Sequence, residues 1–321
     1  MTEHPYDRLT PELILTAIES SGMRCDGRLL ALNSYENRVY QVGIEDGVPI
    51  VAKFYRPERW SDAAIHEEHA FCLELSAAEI PVVAPIADEH GTTLFSREGF
   101  RFALYPRRGG HWPELDVPGT LIRLGRFLGR IHQLGSKRRF EHRATLSVEA
   151  LGTAGRNFLL ASDYIPQALY QEYADVSAEM LAVVEQQFQL VQPISMQAIH
   201  GDFHPGNVLW TESGGHLVDF DDCMNGPVIQ DLWMLLSGDN LQMRHQLNDV
   251  LYGYEDFADF DWRQFSLIEP LRALRLIHYS AWLARRWDDP AFPRYFPWFG
   301  EAGYWQDQIA TFRNQLVRLN G

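Results

Sequence analysis

Two short segments in the second half of the chain carry the residue types that metal-assisted phosphate chemistry requires. Residues 200–207 read His-Gly-Asp-Phe-His-Pro-Gly-Asn, and residues 218–221 read Val-Asp-Phe-Asp. Phosphoryl transfer from ATP needs a carboxylate that orients and deprotonates the acceptor hydroxyl. It also needs an amide oxygen and a second carboxylate to hold the Mg²⁺ ions that bridge the phosphates. Asp202, Asn207 and Asp219 supply these three groups, so the pattern predicts a phosphotransferase that uses ATP and Mg²⁺.

The spacing of these residues resembles the catalytic loop and the metal-binding hairpin of kinases. In kinases an Asn follows the catalytic Asp by five positions, and an Asp-Phe pair comes one hairpin later. Asp202 and Asn207 show this offset, and Asp219 follows a short apolar run that is typical of a strand. We therefore predict Asp202 and Asp219 as catalytic residues. Asp202 is the predicted proton acceptor, and Asn207 and Asp219 are the predicted Mg²⁺ ligands.

Two departures from the protein-kinase pattern narrow the resemblance. Gly201 stands where many protein kinases have an Arg that reads a phosphorylated activation loop, and Asp221 stands where Asp-Phe is followed by Gly. The form His-Gly-Asp-x-His-x-x-Asn resembles the kinase-like phosphotransferases. That superfamily includes aminoglycoside, choline and homoserine kinases and some atypical bacterial protein kinases.

The two histidines of the loop raise the alternative of a zinc site, because they stand four positions apart. Zinc-binding pairs with this spacing lie on a helix with a Glu between them, whereas Pro205 and Gly206 favour a loop here. We therefore interpret His200 and His204 as residues whose hydrogen bonds shape the loop.

Composition places the chain among acidic globular proteins. Its 321 residues, 46% of them hydrophobic, suffice for one large or two medium domains. A formal net charge of −15 argues against a nucleic-acid partner, because basic patches bind phosphate backbones. Three scattered cysteines do not make a disulfide framework, residues 1–7 lack a signal-peptide pattern, and no run is apolar enough to span a membrane. We expect a cytoplasmic protein with no membrane partner.

The elements that must position the chemical residues divide the chain into two lobes. A Pro-Arg-Arg-Gly-Gly stretch near residue 106 separates a β-rich part from a mostly helical part. The pattern predicts strands near 29–32, 38–42, 49–54, 84–87 and 100–105, and helices over 11–21, 61–79, 118–134, 147–160, 177–190, 229–251, 265–286 and 305–319. The predicted fold class is α+β, a bilobal protein-kinase-like fold. Its small N-lobe spans 1–105, and its larger C-lobe, 106–321, carries the catalytic loop and the Mg²⁺ site.

Lys53 is the candidate phosphate ligand of the small lobe. It ends the predicted third strand, which matches the position of the kinase lysine that contacts the ATP phosphates. A Glu on the following helix should pair with this lysine, and both Glu67 and Glu68 qualify. We prefer Glu68, because it falls thirteen residues before Pro81, as in similar segments of aminoglycoside kinase-like proteins.

The turn between the first two strands reads Asn-Ser-Tyr-Glu-Asn-Arg over residues 33–38 and contains no glycine. Protein kinases place a glycine-rich loop here, because bare backbone amides approach the phosphates closely. A serine-led turn can reach them through a hydroxyl group, and Ser34 is therefore a candidate ATP contact. The alternative is that Ser34 is an ordinary turn residue.

Further segments resemble the parts that support the catalytic loop in this superfamily. The helix around His132 resembles the one that braces the loop, so we interpret this histidine as structural. Asp231, which follows Gly226-Pro227, resembles the Asp that hydrogen-bonds the loop from below. Few residues separate Asp222 from that segment, so no long phosphorylatable activation segment is expected.

Three segments together resemble the bacterial stress response kinase A family: residues 32–40, the loop at 200–207 and the Trp-rich segment 278–287. The resemblance covers essentially the whole chain. It implies a cytoplasmic, monomeric Ser/Thr protein kinase that uses ATP and Mg²⁺ and acts in survival under envelope or oxidative stress. Family roles agree with the assignments above for Asp202, Asn207, Asp219 and Ser34.

The acceptor stays open at this point. The first hypothesis is a protein substrate with a Ser/Thr acceptor, which the family resemblance favours. The second is a small hydroxylated metabolite, favoured by the His-Gly-Asp-x-His loop and the missing activation segment. The third is a non-catalytic nucleotide-binding scaffold. It is disfavoured because a decayed site should have lost at least one of Lys53, Asp202, Asn207 and Asp219.

Overall fold

The small lobe is built on a five-stranded antiparallel sheet. The computed structural model of the protein describes residues 6–212 and 214–320; residues 1–5, part of the segment without a signal-peptide pattern, lie outside this description. The elements of the lobe are α1 (Pro11–Glu19), β1 (Cys25–Ala31), β2 (Arg38–Ile44), β3 (Ile50–Phe54), α2 (Asp62–Ala77), β4 (Phe95–Arg97) and β5 (Phe100–Pro106). The strands lie in the order β1-β2-β3-β5-β4, so β3 is central. Lys53 on β3 therefore lies between Val39 of β2 and Ala103 of β5.

Both helices of the small lobe begin at a capping side chain. The Thr10 side chain accepts a hydrogen bond from the Leu13 amide at 3.3 Å, and the Ser61 hydroxyl accepts one from the Ala64 amide at 3.2 Å. The buried face of α2 includes Glu68 as well as apolar residues. The helix thus carries one carboxylate into the interior beside the central strand.

The large lobe is mostly helical. Its helices are α3 (Thr120–Gly135), α4 (Ala154–Leu160), α5 (Tyr170–Leu190), α6 (Ile229–Trp233), α7 (Asn240–Tyr254), α8 (Ile268–Ala284), α9 (Ala291–Tyr295) and α10 (Ala302–Leu319). Its strands are β6 (Gln197–Ile199), β7 (Val208–Thr211), β8 (Gly214–Leu217) and β9 (Met224–Gly226). Buried apolar side chains from nearly all of these elements form one continuous core. Among the described residues, no helix combines the length and apolar character needed to cross a membrane.

Two short antiparallel ladders position the catalytic segments. β6 pairs with β9, and β7 pairs with β8. The catalytic loop connects β6 to β7, and the Asp-Phe segment connects β8 to β9. Leu217 at the end of β8 also exchanges backbone hydrogen bonds of 2.8 Å with Pro81 and Val83, in the connection that follows α2. The hairpin is therefore tied to the small lobe directly before Asp219.

The predicted α+β class, with a small β-rich lobe and a larger helical lobe, is confirmed, but several predicted elements are wrong in detail. Residues 84–87 form no strand: Pro85 has no N–H to donate, and only the Ile86 amide bonds to Leu104 O, at 2.7 Å. The predicted helix 229–251 breaks before Asp239, whose capping box with Gln242 begins α7. The predicted helix 147–160 starts as a π-helix, Glu149–Thr153.

Other elements differ in extent or were missed. α5 begins earlier than its predicted start at residue 177, and α8 is preceded by a 3₁₀ segment, Trp262–Leu267. β4 and α9 are short elements that the pattern did not reveal. The sheet of the small lobe ends at Pro106, and the division into domains 1–105 and 106–321 stays a prediction.

Candidate active site

Hydrogen bonds to Asp231 hold the catalytic loop in place. This fully buried residue on α6 accepts hydrogen bonds from the backbone amides of His200 and Gly201, each at 2.8 Å. His132 on α3 approaches the same carboxylate, with its Nε2 atom 3.0 Å from Oδ2. One carboxylate thus fixes the two amides that precede Asp202. The supporting role predicted for Asp231 and the structural role predicted for His132 are confirmed.

The glycine that departs from the protein-kinase pattern has a geometric reason. Gly201 has a φ of +86°, in the left-handed region that side chains disfavour. A Cβ atom at this position would lie 2.2 Å from the Asp222 carbonyl oxygen. The loop therefore packs directly on the segment that follows Asp219, and an arginine would not fit there.

Asp202, the third residue of this loop, lies between two basic groups. Its Oδ1 atom accepts a hydrogen bond from Arg275 of α8 at 2.8 Å, and its Oδ2 atom lies 3.5 Å from His204 Nε2. Burial alone would raise the pKa of Asp202. The hydrogen bond to His204 and the charge of Arg275 nevertheless hold this pKa well below its ordinary value. Asp202 is therefore ionised at neutral pH, as a proton acceptor must be.

One loop histidine is hydrogen-bonded to the Asp-Phe segment, and the other is hydrogen-bonded within the loop. His200 Nε2 is 3.0 Å from the Val218 carbonyl oxygen, and His204 Nδ1 accepts a hydrogen bond from the Gly206 amide at 3.0 Å. Within residues 6–212 and 214–320, no three His, Cys, Asp or Glu side chains are grouped so that they could hold a metal ion. The interpretation of the histidines as loop-shaping residues agrees with this geometry.

Asn207 and Asp219, the predicted Mg²⁺ ligands, are presented in different ways. The Asn207 amide nitrogen donates to the Asp202 carbonyl at 2.9 Å, which fixes the side chain and reserves its oxygen for another partner. Asp219 has a left-handed backbone (φ 61°) and a side chain that is 58% exposed, so its carboxylate is accessible. An amide oxygen and a carboxylate are ligand types that a hard divalent cation such as Mg²⁺ prefers.

Lys53 is buried among three carboxylates. Its Nζ atom lies 3.3 Å from Glu68 Oε1, 3.8 Å from Asp219 Oδ1 and 2.8 Å from Asp221 Oδ1. Burial alone would lower the pKa of Lys53, but the charges of Asp221 and Glu68 raise it well above its ordinary value. The lysine thus remains a cation next to the predicted metal ligand.

The structure distinguishes between the two candidate glutamates of α2. Glu68 pairs with Lys53, whereas Glu67 accepts hydrogen bonds of 2.7–3.0 Å from the amides of residues 141–143 in the large lobe. Adjacent positions on a helix point in different directions, so only one of the two can face β3. Glu67 instead ties α2 to the large lobe.

Asp221 is the residue of the site that sequence reasoning missed. Its carboxylate contacts Lys53 at 2.8 Å, pairs with Arg59, and accepts a hydrogen bond from Asn37 at 3.2 Å. Arg143 donates to its backbone carbonyl. The replacement of Gly by Asp after Asp-Phe was the available signal. That change places a buried anion where the two lobes meet.

The turn at residues 33–38 also contacts Asp221. Asn37 links it to Asp221, and the side-chain oxygen Oδ1 of Asn37 accepts a hydrogen bond from the Arg56 backbone amide at 3.0 Å. Within the described part of the chain, no protein group is hydrogen-bonded to the Ser34 hydroxyl, and the residue is half-buried.

The structure thus brings together Lys53, Glu68 and Asp219, and it joins Asp202 to Asn207. Ser34 makes no contact with either group, and its role at the phosphates stays a prediction.

The sequence is similar to proteins of known name. The profile of the "Phosphotransferase enzyme family" matches residues 28–268. "Stress response kinase A" of Escherichia coli O157:H7 is 45% identical over 314 residues, which cover 98% of this chain and 94% of that protein. "Serine/threonine protein kinase RdoA" of Salmonella typhimurium (strain LT2) is 44% identical over 315 residues, covering 98% and 95%.

The fold is similar to that of a solved kinase. Amicoumacin kinase, crystallised with AMP-PNP, Ca²⁺ and its antibiotic, superposes with a TM-score of 0.72 over 95% of this chain and 94% of that one. Its sequence is only 18% identical, so the likeness concerns the fold. The two-lobed kinase-like arrangement predicted from the sequence is therefore found in a protein that was crystallised with a nucleotide analogue and a divalent cation.

Proposed function

The chain belongs to the phosphotransferase enzyme family and, as the sequence predicted, to its stress response kinase A group, and from this premise we propose that it is a Ser/Thr protein kinase that uses ATP and Mg²⁺. The observation that carries the proposal is the position of Lys53. Its ammonium group lies within 3.8 Å of both Glu68 and Asp219. A phosphate-binding cation is thereby placed beside a metal-binding carboxylate, which is the arrangement that phosphoryl transfer from ATP requires.

Each residue of the cleft has one role in this proposal. Asp202, ionised and fixed on the loop, orients the acceptor hydroxyl and accepts its proton. Lys53, oriented by Glu68, binds the phosphates of the nucleotide, and Ser34 adds a hydrogen bond from the turn. Asn207 and Asp219 hold Mg²⁺, which neutralises charge on the phosphates when it is bound.

The protein acceptor is supported by the relatives rather than by the cleft. The Salmonella typhimurium relative carries the name of a serine/threonine protein kinase, and the Escherichia coli relative that of a stress response kinase. Identity of 44–45% over 98% of the chain supports the same class of acceptor and the same physiological setting here.

A small hydroxylated metabolite is the second candidate acceptor, and one observation favours it. β9 begins at Met224, directly after the 3₁₀ turn Phe220–Asp222, so only Cys223 lies between them. The long segment that forms a peptide platform in many protein kinases has no counterpart at this point of the chain.

One labelling experiment decides between these acceptors. The purified protein is incubated with γ-labelled ATP, Mg²⁺ and a bacterial lysate, and protein-bound label is then separated from label in small molecules. The proposal expects label on Ser and Thr residues of proteins, and no label with Asp202→Ala. Label only in small molecules would support the second candidate. Equal label with wild type and Asp202→Ala would overturn both assignments of the site.

A further inference from the structure

The two segments that make this sequence distinctive are neighbours in the fold. The sequence sets apart the glycine-free turn at residues 33–38 and the Trp-rich region that begins at residue 278. The function proposed above uses Ser34 of the first and nothing of the second. In the structure, the ring of Tyr35 packs edge-on against Tyr295 and Phe296, with ring centroids 5.1 and 5.0 Å away. The turn thus rests on the C-terminal segment, which we define as residues 282–296.

A buried carboxylate of the C-terminal segment holds the strands next to the turn. Asp289 has no exposed side-chain surface. Both of its carboxylate oxygens accept hydrogen bonds from Arg38 at 3.1 Å, and one also accepts a hydrogen bond from Arg56 at 2.9 Å. Arg38 is the last residue of the turn and the first residue of β2, and Arg56 follows β3, which carries Lys53. Asp289 therefore joins both strands that flank the predicted phosphate site.

A second carboxylate makes the reciprocal contact from the turn. Glu36 accepts a hydrogen bond from the indole nitrogen of Trp282 at 2.7 Å and forms an ion pair with Arg286 at 2.5 Å. Arg56 and Arg59 lie 3.8 and 3.7 Å from its other oxygen. Each segment thus contributes one carboxylate, and each carboxylate is bound by cations or donors from the opposite side.

These contacts compensate for the missing glycines. A glycine-rich loop reaches phosphates because its backbone is unhindered, and it orders when the nucleotide binds. A turn that binds through a side-chain hydroxyl must instead hold that hydroxyl at the right place beforehand, because ordering it on binding costs affinity. A turn attached only to β1 and β2 would not hold the hydroxyl in position before the nucleotide binds. The contacts with the C-terminal segment supply the additional fixed points.

We propose that the C-terminal segment positions the nucleotide-binding turn, with Asp289 as the principal positioning residue and Glu36 as its counterpart on the turn. The inference rests on the proposed function, since it assumes that the turn contacts ATP. Its consequence is specific: loss of either carboxylate weakens nucleotide binding and leaves the catalytic loop, which Asp231 holds separately, unaffected.

The test compares Asp289→Asn with a matched control in the full-length protein. Calorimetric titration gives the dissociation constant for Mg-ATP, and steady-state kinetics give KM for ATP and kcat. We expect both the dissociation constant and KM to rise about tenfold, as for a site that loses preorganisation, with kcat at saturating ATP little changed. Glu172→Gln makes the same carboxylate-to-amide change in an ion pair with Arg313, far from the cleft, and should alter neither quantity.

A second variant covers the case in which Asp289→Asn does not fold, because removal of one partner leaves buried arginines without their anion. Trp282→Phe keeps an aromatic ring and removes the N–H that donates to Glu36, together with part of the ring surface that packs against Phe292 and Phe296. It should weaken Mg-ATP binding several-fold without changing kcat. Unchanged ATP affinity in the folded variants, or a fall in kcat alone, would overturn the inference. If the wild-type protein itself binds no Mg-ATP, the proposed function fails and the inference fails with it.

Discussion

The catalytic loop at residues 200–207 and the turn at residues 33–38 are each supported by a fully buried carboxylate, but in different ways. Asp231 binds the catalytic loop through two backbone amides at 2.8 Å. Asp289 binds the strands beside the nucleotide turn through the guanidinium groups of Arg38 and Arg56, at 2.9–3.1 Å. The first carboxylate touches the loop itself, whereas the second acts through long side chains.

The difference indicates how much movement each loop retains. Backbone amides bonded to one carboxylate fix the positions of the residues that carry them, so Asp202 has little freedom before a substrate arrives. An arginine side chain has several rotatable bonds, and its strand can shift while the ion pair persists. The catalytic loop, fixed at its backbone, is therefore the more rigid side of the site, and the turn at residues 33–38, preorganised through side chains, is the more adjustable side. Variants that affect the catalytic loop should therefore change mainly kcat, and variants that affect the turn should change mainly KM for ATP.

The largest effect is expected on the rigid side. Asp202→Ala and Asp219→Ala should each lower kcat by at least about a thousandfold, because the acceptor and the metal lose the groups that position them. Asp219→Ala should also weaken Mg-ATP binding, since it removes a metal ligand, whereas Asp202→Ala should largely preserve it. Steady-state kinetics and calorimetric titration measure the two quantities. Asp219→Ala binding Mg-ATP as tightly as the wild-type protein would show that the metal assignment is wrong.

On the rigid side, the hydrogen bonds of Asp231 to the catalytic loop could be predicted from the sequence, whereas the roles of Asp202, Asn207 and Asp219 stay predictions. Asp231 lies 31 and 30 residues from the two amides that it binds and follows Gly226-Pro227, so a local pattern identifies it. Asp202, Asn207 and Asp219 lie on one loop and one hairpin, where spacing along the chain reflects spacing in the fold. Such residues can be predicted from a sequence, because the short segments between them restrict their positions relative to one another.

The adjustable side could not be predicted in the same way. Asp289 lies 251 residues from Arg38, and no repeat or spacing connects the two positions. Glu68 was preferred over Glu67 only from its spacing to Pro81, because the rotation of α2 against β3 is concealed by a partly polar buried face. Asp221 was seen as a departure from Gly, but its burial against Lys53 and Arg59 depends on how the lobes meet. Contacts between distant segments follow from packing, which a local pattern does not record.

Asp231→Asn tests whether the buried carboxylate determines the rigidity of the catalytic loop. An Asn side chain has one oxygen, so it can accept from only one of the two amides and leaves the other unsatisfied. We expect kcat to fall about ten- to a hundredfold, the usual cost of removing an outer support, with KM for ATP nearly unchanged. This outcome is the reverse of that expected for Asp289→Asn. A change in KM for ATP without a change in kcat would remove the distinction between the two loops.

Arg275→Gln tests the electrostatics of the rigid loop through pH dependence. The hydrogen bond to His204 and the charge of Arg275 lower the pKa of Asp202 against the effect of burial, so removing Arg275 should raise this pKa. Asp202 acts as a base only when ionised, and a higher pKa means that it becomes protonated at a higher pH. The acid limb of kcat/KM should therefore move to higher pH, with a smaller effect at pH 8. Arg285→Gln removes the same charge from the end of α8, where the side chain contacts Phe158, and should leave the profile unchanged.

The smallest effect is expected for Ser34→Ala, on the adjustable side. A neutral hydrogen bond contributes about 0.5–1.5 kcal/mol net, and more when the partner is a charged phosphate. Since no protein group is bonded to this hydroxyl among the described residues, its loss should raise KM for ATP several-fold and leave the melting temperature without nucleotide nearly unchanged. A purely structural turn residue would give the opposite result, a lower melting temperature with unaltered ATP affinity. Both quantities measured on one purified variant decide whether Ser34 belongs to the site that Asp289 and Glu36 hold in place.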